Sequence, residues 1–346
     1  MKRSALALAA ALALAGCSTD NGSDQPAATK KTEVVIATHD SWNAPKGLIK
    51  KFERESGYQV TILPSGDAGE LTNKLVLTKG SPIADGVYGV DNTFASRAID
   101  ENVFAIYHSG VLPEGEFDLE EGSEFLTPVD QSDVCVNIDD EWFAREKLAP
   151  PATLEDLADP KYKDLFVTPG AATSSPGLAF LLATIGEYGD QWSDYWTRLM
   201  DNGAKLAADW EDAYYVDFTQ GGGDGARPIV LSYASSPPFT IPKGEKRPTT
   251  SALLDTCFRQ VEYAGVLDDA SNPEGARAFI DFLVSRQFQE ALPDNMYVFP
   301  VDPEAQLPEL WAAWAKPSPE PIDVDPADIA EHRAEWLTEW SDLTSR

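Results

Sequence analysis

Strand-like and helix-like signals alternate at short spacing in two separate stretches of this chain, and long extended segments lie between them. From residue 33 the order is a strand at Val34–Ala37 and a helix from Leu48 to Phe52 that Gly57 stops. A strand at Tyr58–Leu63 follows, then a helix opened by Asp67 or Gly69 and carrying Leu71, Leu75 and Val76, then a strand at Asp85–Val90. The rhythm returns with a strand at Phe166–Thr168, a helix at Leu178–Ile185, a strand at Lys205–Ala208, a helix at Asp212–Phe218 and a strand at Pro228–Ser232. Such alternation predicts parallel strands covered by helices. Leu126–Ile138 and Leu253–Val266 are two long β-like segments. They predict two α/β lobes, 33–128 with 262–346 and 129–261, joined by a hinge that the chain crosses more than once. The C-terminal part reads as helical at Pro273–Gln289 and Pro326–Leu343, the second with Ile329, Trp336, Leu337 and Trp340 on a core face.

Ahead of this body, Lys2 and Arg3 precede an almost unbroken apolar run, Ala5–Ala15, too short to span a bilayer. The run ends in Leu14-Ala15-Gly16-Cys17, which resembles the lipobox of bacterial lipoproteins. The resemblance implies that residues 1–16 are removed and that Cys17 becomes a lipidated first residue. A plain secretory signal with a chance cysteine is the alternative. Residues 17–32 are small and polar and read as a flexible tether. No later run is long and apolar enough for a membrane helix. The expected address is outside the cytoplasm, held to the cell membrane by the lipid.

The formal charge is −30. Such a surface repels nucleic acid and anionic lipid, and it serves either solubility or the attraction of a cationic ligand. His39, His108 and His332 are the only histidines, which argues against a His-rich metal centre. Cys135 and Cys257 lack the neighbours of a zinc site. They fall on the two hinge segments and can pair as a disulfide if those run antiparallel side by side. Gly221-Gly222-Gly223-Asp224-Gly225 lacks the Lys-Ser/Thr ending of a phosphate loop and reads as a flexible loop. A hydrolase with paired carboxylates is a weaker reading, because no nucleophile elbow or His-Glu-x-x-His helix is present. A structural adhesin is weaker still, since the chain has no repeats. No cofactor is expected.

Several runs, in order, carry a resemblance over residue 33 to the C-terminus. They are Thr38-His39-Asp40-Ser41-Trp42, Gly66-Asp67-Ala68-Gly69-Glu70-Leu71, Gly89-Val90-Asp91-Asn92 and Thr173-Ser174-Ser175-Pro176-Gly177-Leu178. Asp209-Trp210-Glu211-Asp212-Ala213-Tyr214, Leu231-Ser232-Tyr233-Ala234-Ser235-Ser236-Pro237 and Ala334-Glu335-Trp336-Leu337-Thr338-Glu339-Trp340 complete the set. Together they resemble the thiamine-binding proteins of bacterial thiamine ABC importers. The resemblance implies an α/β type II periplasmic-binding-protein fold whose two lobes close on thiamine or its mono- or diphosphate. It also implies a permease partner, no catalysis and a monomer.

By the same resemblance, Trp210 and Tyr233 flank the ligand rings, Asp67 meets the aminopyrimidine, and Ser174 and Ser175 lie near a phosphate. Asp67 also fits a helix N-cap, and the two serines fit a capped helix start. Asp91 and Asn92 end a strand where α/β sheets place ligands, or they cap the next helix. The chain departs from the family in three places. His39 stands before Asp40-Ser41 where a Tyr is usual, Trp42 fills the space of an unaligned tryptophan, and Asp294-Asn295-Met296-Tyr297 replaces a Gly-Asn-Trp turn, with Tyr297 as the stacking face. Tyr214 falls in the Trp-Glu-Asp-Ala-Tyr run, yet Tyr214-Tyr215 also resembles the paired tyrosines of ferric-binding proteins. A ferric-ion receptor is the rival reading.

Overall fold

The computed structural model describes residues 32–345. The leader, Cys17 and nearly all of the tether lie outside the described residues. Nine strands form one mixed sheet: β1 (Glu33–Thr38), β2 (Gln59–Pro64), β3 (Gly86–Asp91), β4 (Leu126–Asp139), β5 (Phe166–Pro169), β6 (Lys205–Ala207), β7 (Ile229–Tyr233), β8 (Thr250–Val266) and β9 (Phe299–Pro300). The order across the sheet is β2-β1-β3-β8-β4-β7-β5-β6, with β9 against β4.

Parallel pairing joins β1 to β2 and β3 at one side, and β5 to β6 and β7 at the other. Between these groups β4 and β8 run antiparallel along one another. The end of β8 from Glu262 onward pairs with β3, while the end of β4 from Val134 onward pairs with β7. These two strands are therefore the crossing segments, and each serves both halves.

Burial follows the strand alternation. On β1, Val34 and Ile36 face Phe52, Phe279, Ile280 and Leu283, whereas Ala37 faces the other core with Leu71, Val87 and Val90. Period-two alternation thus feeds two cores from one strand. In the second half the helix Ser175–Tyr188 is buried on every side from Ser175 to Ile185, as an apolar-all-round helix must be. Both halves meet where the helix Ala68–Leu77 begins. A Cβ on Gly69 would stand 2.8 Å from the Thr173 carbonyl oxygen, so only glycine permits this approach.

Three expectations change. Pro273–Gln289 is two helices, Pro273–Leu283 and Arg286–Gln289, because Ser285 adopts an extended conformation at φ −69°, ψ 145°. The last helix, Pro326–Thr344, packs on Trp192–Asp201 of the second half as well as on the first, where Arg333 donates to the Thr93 carbonyl at 2.9 Å. There Trp340 meets Trp196 edge-on at 5.6 Å, while Trp336 and Leu337 stay half-buried. Finally, the glycine-rich run is held tightly: a Cβ on Gly221 would overlap the Tyr214 carbonyl oxygen, and one on Gly223 would lie 2.6 Å from that of Tyr215. Among the described residues no helix is long and apolar enough to cross a membrane.

Cys135 and Cys257 are bonded across β4 and β8. The bond sits where the register jumps from Val134↔Phe258 to Val136↔Leu253, so four residues of β8 bulge out. Thr256 Oγ1 accepts from the Val136 N–H at 3.0 Å and steadies the bulge.

Candidate functional site

A cleft of about 270 Å3 opens between the two halves. Its walls come from the ends of β1 and β7, the interior of β8, the starts of the helices Ala68–Leu77 and Ser175–Tyr188, and the turns after Asp209 and Met296.

On the first half, the loop after β1 is stapled to the turn before Ala68. The Asp40 N–H donates to the Gly66 carbonyl at 3.0 Å, and the Gly66 N–H donates to Asp40 Oδ1 at 2.9 Å. This fixes His39, Asp40, Ser41 and Trp42 along the cleft. The Trp42 ring is edge-on to Tyr88 at 5.1 Å and stacked on Phe288 at 6.0 Å, so it is part wall and part core. Asp67 does cap its helix, with Oδ1 accepting from the Ala68 N–H at 2.7 Å. Its Oδ2 is buried with no hydrogen-bond partner. Burial pushes the Asp67 carboxyl up, opposed by the Ser174 hydroxyl and the Ala68 amide.

On the second half an aromatic box stands around Trp210. Tyr214 lies nearly parallel to the indole at 5.2 Å, Tyr215 is edge-on at 5.5 Å and Tyr233 is tilted at 5.9 Å. A wide turn at Asp212–Asp217 presents both tyrosines, and such π-type turns recur at functional sites. The serine-rich run holds the box in place. Ser232 Oγ accepts from the Trp210 indole N–H at 3.1 Å and contacts Ser236 Oγ at 2.8 Å. Ser236 Oγ accepts from the Tyr233 N–H, and Ser235 Oγ donates to the Tyr297 carbonyl. Tyr297 needs that help, since its φ of 64° is left-handed, a strain of about 1–3 kcal/mol for a bulky residue.

Of the residues singled out from sequence, His39, Asp40, Ser41, Trp42, Asp67, Ser175, Trp210, Tyr233 and Tyr297 line the cleft. Four do not. Asp91 is fully buried, and its Oδ1 accepts from the Thr93 and Phe94 N–H groups and the Thr93 hydroxyl. Asn92 bridges the Arg259 carbonyl and the Val261 N–H of β8. Ser174 is buried just behind Ser175, with its hydroxyl beside the Asp67 carboxyl, and the Ser175 hydroxyl has no hydrogen-bond partner. Tyr214 backs Trp210 and lines a neighbouring cavity with Gly221 and Gly222. The paired tyrosines therefore pack edge-on to one another around Trp210, where a ferric site would need free phenolates beside carboxylates. Among the described residues no group of three or more His, Cys, Asp or Glu could hold a metal ion.

Sequence reasoning missed Gln260 and Glu262, which form the floor of the cleft. The signal available was local: Gln260 and Glu262 alternate with Val261 and Tyr263 in the second half of β8. The remaining lining includes Glu211 but no Lys or Arg. Burial pushes the Tyr233 hydroxyl well up, and four carboxylates (Glu262, Asp67, Asp91 and Asp130) add to it. Acceptors and negative charge thus converge on a space walled by π-faces.

The family model for bacterial extracellular solute-binding proteins matches residues 81–317. The thiamine-binding periplasmic protein of Salmonella typhimurium is 30% identical over 329 residues, covering 91% of this chain and 94% of its own. That of Brucella melitensis is 29% identical over 332 residues, covering 93% and 95%. A solved structure of a periplasmic thiamin binding protein superposes with a TM-score of 0.78 at 26% identity, covering 91% of this chain and 97% of that one.

Proposed function

This chain belongs to the bacterial extracellular solute-binding proteins, and from that membership we propose that it captures thiamine and delivers it to an ABC permease. Its α/β fold is that of the type II periplasmic binding proteins, and it is a transport receptor, not an enzyme. The observation that carries the thiamine reading is the make-up of the cleft. Trp42, Trp210, Tyr215, Tyr233 and Tyr297 face Asp40, Asp67, Glu211 and Glu262 with no Lys or Arg among the lining residues. Thiamine brings a permanently positive thiazolium and a flat aminopyrimidine with N–H donors, which is the complement of that lining.

A desolvated cation–π contact supplies about 2 kcal/mol, and two ring faces with stacking about 4–5 kcal/mol. Nanomolar capture needs about 12 kcal/mol. Hydrogen bonds to buried acceptors such as Asp67 Oδ2, together with closure of the halves, supply the difference. Because only the liganded receptor favours the closed arrangement, closure reports occupancy to the permease.

The unpartnered Ser175 hydroxyl at a helix start that lines the cleft supports acceptance of the mono- and diphosphate as well. The run ending at Cys17 supports lipid anchoring outside the cytoplasm. Titration with thiamine, followed by tryptophan fluorescence and calorimetry, tests the assignment. Saturable binding in the nanomolar to micromolar range is expected, and its absence below millimolar thiamine overturns it.

A further inference from the structure

Three acids stand side by side across the middle of the sheet. Glu262 on β8 is the register partner of Asp91 on β3 and of Asp130 on β4. Directly opposed residues point to the same face, where like charges destabilise. Asp91 and Asp130 are fully buried and Glu262 nearly so, with Glu262 reaching the cleft.

The hydrogen atoms do not suffice if all three are ionised. Tyr88 Oη lies 2.6 Å from Asp130 Oδ2 and 3.0 Å from Glu262 Oε2. A phenol has one proton to donate, so one of these short contacts would set two bare oxygens against each other. Asp130 Oδ1 has no partner either. A proton on the Asp130–Glu262 pair resolves the contact. Other groups face this pair from the neighbouring elements: Tyr88 and Asp91 from β3, Tyr233 from β7 and His39 from the loop after β1, with Asp67 beside His39 in the same cleft. His39 Nε2 is 3.4 Å from Glu262 Oε1 but outside hydrogen-bond geometry, and it is unpartnered, buried and on the cleft wall.

We propose that the Asp130–Glu262 pair holds one proton while the cleft is empty, and that a cationic ligand arriving over Glu262 expels it. The carboxyl O–H bond breaks, the proton passes to buffer, and the ligand's fixed positive charge takes its place as the counter-charge. Burial followed by the Glu262 charge pushes the Asp130 carboxyl well up, which agrees with the geometry. Glu262 thereby selects cations, because a neutral analogue cannot replace the lost proton.

This inference rests on the cation reading of the cleft, and its test separates the two. Calorimetric titration with thiamine near pH 6, in two buffers of different ionisation enthalpy, reads protons released per ligand. The wild type is expected to release close to one proton, and its affinity to rise with pH by up to tenfold per pH unit. Asp130→Asn should still bind but release none, and Glu262→Gln should lose both release and at least tenfold in affinity. Binding with identical apparent enthalpy in both buffers overturns the proton store and leaves the receptor assignment standing. Release that survives Asp130→Asn but disappears in His39→Gln assigns the proton to His39 and also overturns it. Should thiamine not bind at all, the infrared difference between ligand-free wild type and Asp130→Asn still decides. A protonated-carboxyl band is expected at neutral pH, and its absence overturns the inference.

Discussion

The Trp210 indole N–H donates to Ser232 Oγ at 3.1 Å, so a strand-end serine orients the ring that dominates the cleft. Trp210 belongs to a small core with Tyr214 and Phe218, and truncating it removes packing as well as a π-face. Trp210→Ala should weaken thiamine binding more than tenfold and also lower the melting temperature, since buried Trp→Ala changes cost about 3–5 kcal/mol. Trp210→Phe keeps a face and most of the packing. It should fold near normally and bind several-fold more weakly, as calorimetry and thermal melts will read.

Asp67 can have its two roles separated. Asp67→Asn keeps an oxygen to cap Ala68 but replaces the unpartnered Oδ2 acceptor. Stability should change little while affinity falls at least tenfold, the scale of about 1.5–3 kcal/mol for a hydrogen bond to a charged group. Asp67→Ala should cost about 1 kcal/mol more in stability through the lost cap. Urea unfolding beside calorimetry separates the two losses.

Stability should fall as pH rises through the acid row. Burial, with Glu262 adding to it, pushes Asp91 up to about 7. The folded chain keeps a proton that the unfolded chain gives up near pH 4, so the group's contribution is complete below about 4 and lost by about 7. The span is on the order of 4 kcal/mol for this group. Urea titrations from pH 4.5 to 8 should show the decline in ligand-free protein, and Asp91→Asn should flatten part of it.

Gly221→Ala should distort the aromatic box without touching the ligand, because the new Cβ would overlap the Tyr214 carbonyl oxygen. Reduced affinity with a shifted tryptophan emission maximum is expected. Gly222, which has open space for a Cβ but a φ of 88°, should cost stability on change to Ala and leave emission unaltered.

With no Lys or Arg in the lining, thiamine itself should bind more tightly than its diphosphate. Competition calorimetry at fixed ionic strength checks the order. Equal or reversed affinities would assign the Ser174–Ser175 helix start a larger share of the anion's stabilisation than the surrounding carboxylates remove.

Strands, most helices and the crossing segments were legible because their apolar periods are strong and their punctuation is clear, as at Gly57 and Asp67. The short helices Ala95–Asp100, Asp140–Glu146 and Glu309–Trp314 went unread, being under two turns long with tertiary packing as their main support. Asp91 and Asn92 misled for a physical reason: the end of a strand supplies ligand contacts or helix caps from the same residue types. Glu262 was hidden inside a strand, where nothing local tells a cleft-facing acid from a solvent-facing one. Ser232, Ser235 and Ser236 looked like a generic turn, and only the folded chain shows an aromatic group behind each.

The two central strands of the sheet are remote in sequence, with Cys135 and Cys257 separated by 122 positions. The middle of the molecule cannot assemble until residue 266 is available to pair with Gly86. Long-range pairing of this kind slows folding. A growing chain of this design stays uncommitted through most of its synthesis, a kinetic delay that leaves time for it to be threaded through a narrow pore before its core closes.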